Sequence, residues 1–395
     1  MTPNDWNKRK ISEILEKVVL PVNVMKNEEY REIGIRSHGK GIFYKGKITG
    51  KLLGNKRVFH IEPNCLILNI VFAWEQAIAK TTQNELGMIA SHRFPMYRPK
   101  NNLCNVDFIL YLFNTKLGKN LLELASPGGA GRNKTLGQSE FDRLEIVLPP
   151  LSEQIKITEI LSTWDKAIST AEKLLANSEL QKKALMQQLL TGKKQLPNFN
   201  EKWKKIRLGN LAEINSGGTP ISTVRDYYGG NISWVSISDL TSQGKWIYST
   251  EKTLTKLGLE NSSARLYPKN TVLYAMYASI GECSISGIEL CTSQAILGIR
   301  PNSELNFEYL YFYLSSIKKR IKLQGQQGTQ ANLNAAMVKD FKIPLPTLME
   351  QKEIVKILSI ADREIEVLKQ KLDYLKQEKK ALMQQLLSGK RRVSI

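Results

Sequence analysis

The chain has 395 residues, 42% of them apolar and 24% charged, which fits two or three folded domains and excludes a disordered or low-complexity protein. Lys plus Arg number 57 against 37 Asp plus Glu, a formal charge of +20, so the expected partner is a polyanion: nucleic acid or an anionic membrane surface. No run of about 18 apolar residues is present to span a bilayer, and the start, Met1-Thr2-Pro3-Asn4-Asp5-Trp6, has no basic stretch followed by an apolar one, so secretion is not expected.

Residues 33–61 hold seven cations (Arg36, Lys40, Lys45, Lys47, Lys51, Lys56 and Arg57) and no acidic residue. Glycines and the rings of Phe43, Tyr44 and Phe59 are interleaved with them. Glycine lets the backbone approach a phosphate closely, and cations release its counterions. These cations and Ser37 are candidate DNA contacts; a solvated hairpin is the alternative. His38, His60 and His92 keep no metal-ligand spacing with Cys65, Cys104, Cys283 and Cys291, so ordinary thiols are expected and no metal site. A polar glycine-rich loop over 125–134 adds Arg132, Asn133 and Lys134 as candidates for phosphate or base-edge contacts.

Pro149-Pro150 then precede a long helix. Ile157, Leu161, Trp164, Ile168, Ala171, Leu175, Ser178, Lys182, Leu185 and Leu189 alternate spacings of four and three, the 3.5-residue period of a coiled-coil seam. Glu153 suits the first turn, and Gly192 the C-terminal stop. The second half opens with Ser216-Gly217-Gly218-Thr219-Pro220 and Tyr227-Tyr228-Gly229-Gly230, and Gly217, Gly218, Thr219, Tyr227 and Tyr228 are candidate contacts. Trp74 and Trp234 are expected in the core. Strand-like runs begin at Thr271 and at Gln294, itself a candidate contact, so this part reads as mixed α/β. A second polar loop over 325–332 supplies Gln327, Thr329, Gln330 and Asn332. Ile354, Leu358, Ala361, Ile365, Leu368, Leu372, Leu375, Lys379, Leu382 and Leu386 form a second seam.

These seams are copies. Residues 182–193, KKALMQQLLTGK, and 379–390, KKALMQQLLSGK, agree at eleven of twelve positions under a shift of 197. At the same shift 148–168 matches 345–365 at eleven of twenty-one positions, and Trp6 falls on Trp203. The chain is therefore a tandem repeat of a unit of roughly 200 residues. Residues 30–100 find no convincing counterpart in 225–300, which predicts a common frame around unlike inserts. Two long strips of one pattern in one chain predict an intramolecular antiparallel pair; independent surface helices and a homodimeric coiled coil are the alternatives. Lys182 and Lys379, both in the seam, are expected to snorkel or to set register.

No P-loop, no G-x-G-x-x-G turn, no Asp/Asn-Pro-Pro-Tyr/Phe tetrad and no carboxylate cluster of a two-metal nuclease is present, so no catalytic residues are assigned.

The doubled Leu-Pro-x-Leu-x-Glu-Gln (148–154, 345–351), the doubled Leu-x-Gln-Gln-Leu-Leu-[Thr/Ser]-Gly-Lys (185–193, 382–390) and the Gly-Gly-Thr-Pro and Trp-Val-Ser-Ile-Ser-Asp-Leu of the second insert resemble the specificity subunits of type I restriction–modification enzymes. The resemblance implies an α+β fold: two mixed α/β target recognition domains (1–150 and 193–347) separated by long helices (151–192 and 348–390), with a basic tail, 391–395. It implies that each domain reads one half of a bipartite, asymmetric site on double-stranded DNA, and that the helices set the spacer. It also implies a cytoplasmic complex with two methyltransferase (modification) subunits and two restriction/translocase subunits. S-adenosylmethionine, ATP and Mg would be bound by those subunits, with no cofactor, metal or membrane for this chain. The first insert lacks the Gly-Gly-Thr-Pro and Trp-Val-Ser-Ile elements, and its Asn69-Ile-Val-Phe-Ala-Trp-Glu75 resembles another class of recognition domain, which implies a different half-site. Two further readings stay open on the residues alone: a coiled-coil scaffold that binds nucleic acid without sequence readout, and a self-contained methyltransferase or nuclease.

Overall fold

A computed structural model describes residues 3, 5–128, 134–327 and 333–394, except the side chains of 324–327. The chain divides into two compact units: Met1–Ala171 with Lys371–Ile395, and Glu172–Gln370. Each long helix is thus shared, its first part in one unit and its last part in the other.

In the first unit, β1 (Asn7–Lys10) and β10 (Glu145–Leu148) pair antiparallel at the base. Between them lie β2 (Leu15–Val18), β3 (Glu29–Ile35), β4 (Ile42–Thr49), β5 (Val58–His60), β6 (Leu66–Leu68), β7 (Ile78–Lys80), β8 (Ile89–Ser91) and β9 (Met96–Pro99). They form two sheets, ordered β2-β9-β6-β7 and β4-β3-β8-β5. A helix over Val106–Phe113 buries Phe108, Ile109, Leu112 and Phe113 against the first sheet and the helix pair.

The second unit repeats this plan. Its strands are β11 (Lys204–Arg207), β12 (Ala212–Ser216), β13 (Tyr228–Val235), β14 (Trp246–Ile247), β15 (Lys252–Leu254), β16 (Leu266–Tyr267), β17 (Val272–Ala275), β18 (Cys283–Ser286), β19 (Leu290–Thr292), β20 (Ile296–Pro301) and β21 (Lys342–Leu345). Strand β11 pairs β21, and Lys204↔Leu345 stands where Asn7↔Leu148 does in the first unit. The sheets run β12-β20-β17-β18-β14 and β15-β13-β19-β16. The parallel pair β3–β8 corresponds to β13–β19, flanked in both units by antiparallel partners. The inserts that share no convincing sequence therefore share a strand order, apart from the extra edge strand β14 of the second unit. Ladder bonds are made by backbone, so strand order survives wholesale replacement of side chains.

The long helices span Leu151–Leu189 and Leu348–Leu386, and Gly192 and Gly389 follow them at φ 71° and 72°. The antiparallel run is visible inside each unit. In the first, Ile157 and Leu161 share a core with Leu386 and partly buried Leu382. In the second, Ser178 donates to Glu364 at 3.0 Å and Lys369 pairs with Glu179 at 3.4 Å. All twenty seam positions are buried or half-buried. Of those singled out for pairing, Leu161, Leu189, Leu358, Ile365, Leu372 and Leu386 are buried; Trp164, Ile168, Leu175, Leu185, Leu368, Leu375 and Leu382 are half-buried. The seam lysines do not snorkel free: Lys182 pairs with Asp362, and Lys379 with Asp165 at 2.5 Å.

The doubled motifs are fasteners. Trp6 Nε1 donates to Glu153 at 3.1 Å, and Trp203 Nε1 to Glu350 at 3.0 Å. The Gln154 carbonyl oxygen accepts from Asn105 N at 2.8 Å while its amide donates to Pro149 O; Gln351 does the same with Asn306 N, at 2.7 Å, and Pro346 O. Glu153, Gln154, Glu350 and Gln351 are all buried, so the bonds they make are within the protein, and among the described residues only the Glu350 Oε1 of these is left without one.

Candidate nucleic-acid interface

In the first unit the basic stretch is the β3–β4 hairpin and the segment after it. Lys40, Lys45, Lys47, Lys51, Lys56, Arg57 and Arg36 are exposed, and Ser37 is half-buried. Three of these cations face two carboxylates: Lys47 pairs with Glu29 at 3.1 Å, and Lys45 and Lys56 share the buried Glu32. The window from 33 to 61 contains no acid, but β3 brings carboxylates of 29 and 32 onto it across the ladder. The expected uniform cationic strip is corrected on that point. Arg36, Lys40, Lys51 and Arg57 have no carboxylate within 4 Å among the described residues. Arg36 lies over the Phe43 ring at 5.0 Å, and Lys134 over Trp74 at 5.3 Å. Arg36, Ser37, Lys40, Phe43 and Lys45 line a groove of about 480 Å³ with Asn69, Phe72 and Phe94. Those last three were missed from sequence; Phe72, 46% exposed, looks like a core residue in its apolar run.

In the second unit Gly217 and Gly218 are buried and structural. A Cβ at Gly217 would come 2.2 Å from Thr292 O, and one at Gly218 2.2 Å from Ala264 N, so close backbone packing accounts for both glycines. They deliver the exposed Thr219 beside Gln294, whose N–H points at Thr219 Oγ1 at 3.5 Å. Thr219 and Tyr228 line a groove of about 460 Å³ with Ser222, Trp234, Glu251 and Lys252. Tyr228 donates to Pro220 O at 2.7 Å. Trp234 is core, 6% exposed, with Nε1 donating to Gly218 O; Trp74 is half-buried. Tyr227 is half-buried and outside this groove; its carbonyl accepts from Thr255 N.

Arg132, Asn133, Thr329, Gln330 and Asn332 lie outside the described residues, and Gln327 ends a helix, Phe307–Gln327, which takes 325–327 out of the expected loop. That helix and β14 border a cleft of about 1320 Å³ with the second unit's parts of the long helices, lined by Lys183, Lys245, Trp246, Tyr248, Lys319 and Arg363 among others. Burial pushes the Cys65 and Cys104 thiols up to about 12 and Cys291 to about 11, which leaves them protonated and unreactive. Among the described residues no three His, Cys, Asp or Glu gather as a metal site, and no helix is long and apolar enough to cross a membrane.

The model of the type I restriction modification DNA specificity domain matches residues 3–179 and again 200–377. The chain belongs to this specificity family. The MjaVIII type I restriction enzyme specificity subunit of Methanocaldococcus jannaschii is 24% identical over 99% of this chain and 94% of its own length. A further chain of that organism, assigned by its name to the MjaX enzyme, is 27% identical over 99% and 95%. The EcoR124I/EcoR124II specificity subunit of Escherichia coli is 25% identical over 69% of this chain and 70% of its own. Among solved structures, a chain from a study of assembly and conformational transition in a type I system superposes with a TM-score of 0.63 at 19% identity, covering 98% of both chains. The specificity subunit from M. genitalium gives 0.61 at 15% over the whole of both. These structures share the fold, and the two family matches coincide with the two halves of the repeat.

Proposed function

We propose that this chain is the DNA-reading subunit of a type I restriction–modification complex. Each unit reads one half of a bipartite, asymmetric duplex site, with 1–150 and 193–347 as the recognition domains. The repeated frame docks two methyltransferase subunits, and two restriction/translocase subunits complete the complex in the cytoplasm. Adenine methylation and ATP-dependent cleavage, with S-adenosylmethionine, ATP and Mg, belong to those partners. This chain selects the site.

The observation that carries the reading is the repeat itself. Two copies of one strand order, the second with an added edge strand, closed by the same Trp–Glu and Gln fasteners, present grooves of unlike composition. Equal frames suit equal partner subunits; unlike grooves suit unlike half-sites. The charge of +20 supplies the non-specific attraction to duplex.

Methylome sequencing of a host with and without this chain, its modification subunit present in both, tests the proposal. A bipartite motif that appears only with the chain is the expected result. Methylation without a bipartite motif, or duplex binding that is steeply salt-dependent yet equal on all sequences, would instead make the chain a non-reading scaffold.

A further inference from the structure

We propose that Arg36 is a base-reading residue of the first unit: its guanidinium, stacked on Phe43 at the tip of the β3–β4 ribbon, takes the O6 and N7 acceptors of a guanine in the major groove. The first unit's half-site then contains one G·C pair fixed by Arg36. This rests on the DNA-reading function proposed above and assigns a residue to it.

The tip that carries Arg36 is held still. Arg36 N donates to Gly41 O at 3.0 Å and closes the turn. His38 N and Gly39 N donate to Glu75 O and Gln76 O at 2.7 and 3.0 Å, and Ser37 Oγ to the Glu75 carboxylate at 3.0 Å. Gln76 is in turn fastened through Nε2 to Phe113 O at 2.8 Å. His38, Gly39 and Gly41 all have positive φ, and a Cβ on Gly39 would come 2.5 Å from Asn114 Oδ1. The tip thus has one conformation before any ligand arrives, so little ordering entropy is spent on binding.

The side chain is prepared as well. Gly34 faces Phe43 across the ladder, and a Cβ there would sit 2.3 Å from Phe43 Cζ, so the missing side chain is what seats the ring. The Arg36 guanidinium lies 5.0 Å from that ring's centroid. Stacking fixes the plane of the fork and leaves its edge N–H groups for a planar, bidentate acceptor. Lys45, Lys47 and Lys56 lie against carboxylates; among the described residues Arg36 has none within 4 Å, and no residue lining its groove is acidic. In the major groove, guanine O6/N7 is the usual bidentate target of arginine. Lys40, at the same tip, carries a point charge without directional demand and suits a phosphate.

The test is a methylome map of the native complex carrying Arg36→Gln, Arg36→Lys, Phe43→Leu or Lys40→Gln. Both Arg36 variants are expected to lose discrimination at a single G·C pair of one half-site, by roughly ten- to hundredfold, with the other half-site and the spacing unchanged. Phe43→Leu weakens the same pair less. Lys40→Gln lowers methylation at all sites and changes no letter. An unchanged motif with uniformly lower methylation in the Arg36 variants makes Arg36 a phosphate contact and overturns the inference, as does a change in the other half-site. If a variant methylates nothing, gel-shift competition by the complex with duplexes altered at each G·C pair decides: lost preference at one pair supports the inference, and retained preference at every pair overturns it. A wild-type complex with no bipartite motif is a different failure, that of the function itself.

Discussion

Lys379 Nζ lies 2.5 Å from Asp165 Oδ1, and Tyr111 donates to the other oxygen of the same carboxylate at 2.6 Å. Lys182 and Asp362 make the corresponding pair in the second unit, with Phe312 beneath the ammonium as Tyr111 is beneath Lys379. Each lysine comes from one long helix and each aspartate from the other. A lysine in an apolar seam fits only where its aspartate stands, so these pairs select one register of the antiparallel run.

Asp165→Ala is therefore expected to destabilise the first unit by about 2 kcal/mol, because it leaves the largely buried Lys379 unpaired. Asp165→Ala with Lys379→Met should recover most of that loss, since an apolar pair suits the seam. Urea denaturation of the four members of the double-mutant cycle measures both. Equal losses in the single and double variants would mean that the pair is a surface contact.

The two Trp–Glu fasteners differ in one respect. Arg392 donates to both oxygens of Glu153, at 2.7 and 2.9 Å, and to Asp5. Among the described residues Glu350 has no cation within 4 Å, and its Oε1 has no hydrogen-bond partner. Burial accordingly raises the Glu350 carboxyl above its ordinary 4.5, despite the Trp203 hydrogen bond. A carboxyl raised in the folded state favours folding at low pH, and that contribution is lost as pH rises from 4.5 through the folded value. Glu350→Gln should remove this loss and raise the thermal midpoint at neutral pH, with the gap from wild type closing in acid. Gln195→Arg, at the position equivalent to Arg392, should act in the same direction. Midpoints recorded between pH 4 and 7.5 check both.

Gly218→Ala puts a methyl group 2.2 Å from Ala264 N, a backbone atom that cannot swing away. We expect loss of readout by the second unit while the first unit's fold persists. Circular dichroism, limited proteolysis and site preference of the assembled complex report it.

Lys40, Lys51 and Arg57 are exposed and have no carboxylate within 4 Å among the described residues. Each changed to Gln should weaken duplex binding on all sequences alike and flatten the slope of log K against log salt by about 1. Lys45→Gln and Lys47→Gln should change it less, because Glu32 and Glu29 already neutralise those charges.

Much of this was legible in the sequence. The heptads predicted the helix seam because burial along a helix follows a strict period, and the doubled ends announced a repeated frame. The shared strand order was hidden because Trp234 and Glu32, unlike in chemistry, both join a parallel strand pair through backbone bonds. The neutralised lysines were hidden because Glu32 meets Lys56 only after the chain has folded back. Gly217 and Gly218 read as candidate contacts because glycine that admits a ligand and glycine that admits a neighbouring backbone are spelled alike. The fasteners Glu153 and Glu350 were visible as a doubled motif, with nothing to say that tryptophans 147 positions upstream were their partners.

The first unit needs Lys371–Ile395 to be whole, since Leu386 and Leu387 sit in its core and Arg392 caps its fastener. On the ribosome the half that is made first is thus completed last, after the second half has already emerged. A premature stop codon just before Leu386 would spare residues 172–370 and strike the unit whose coding comes first.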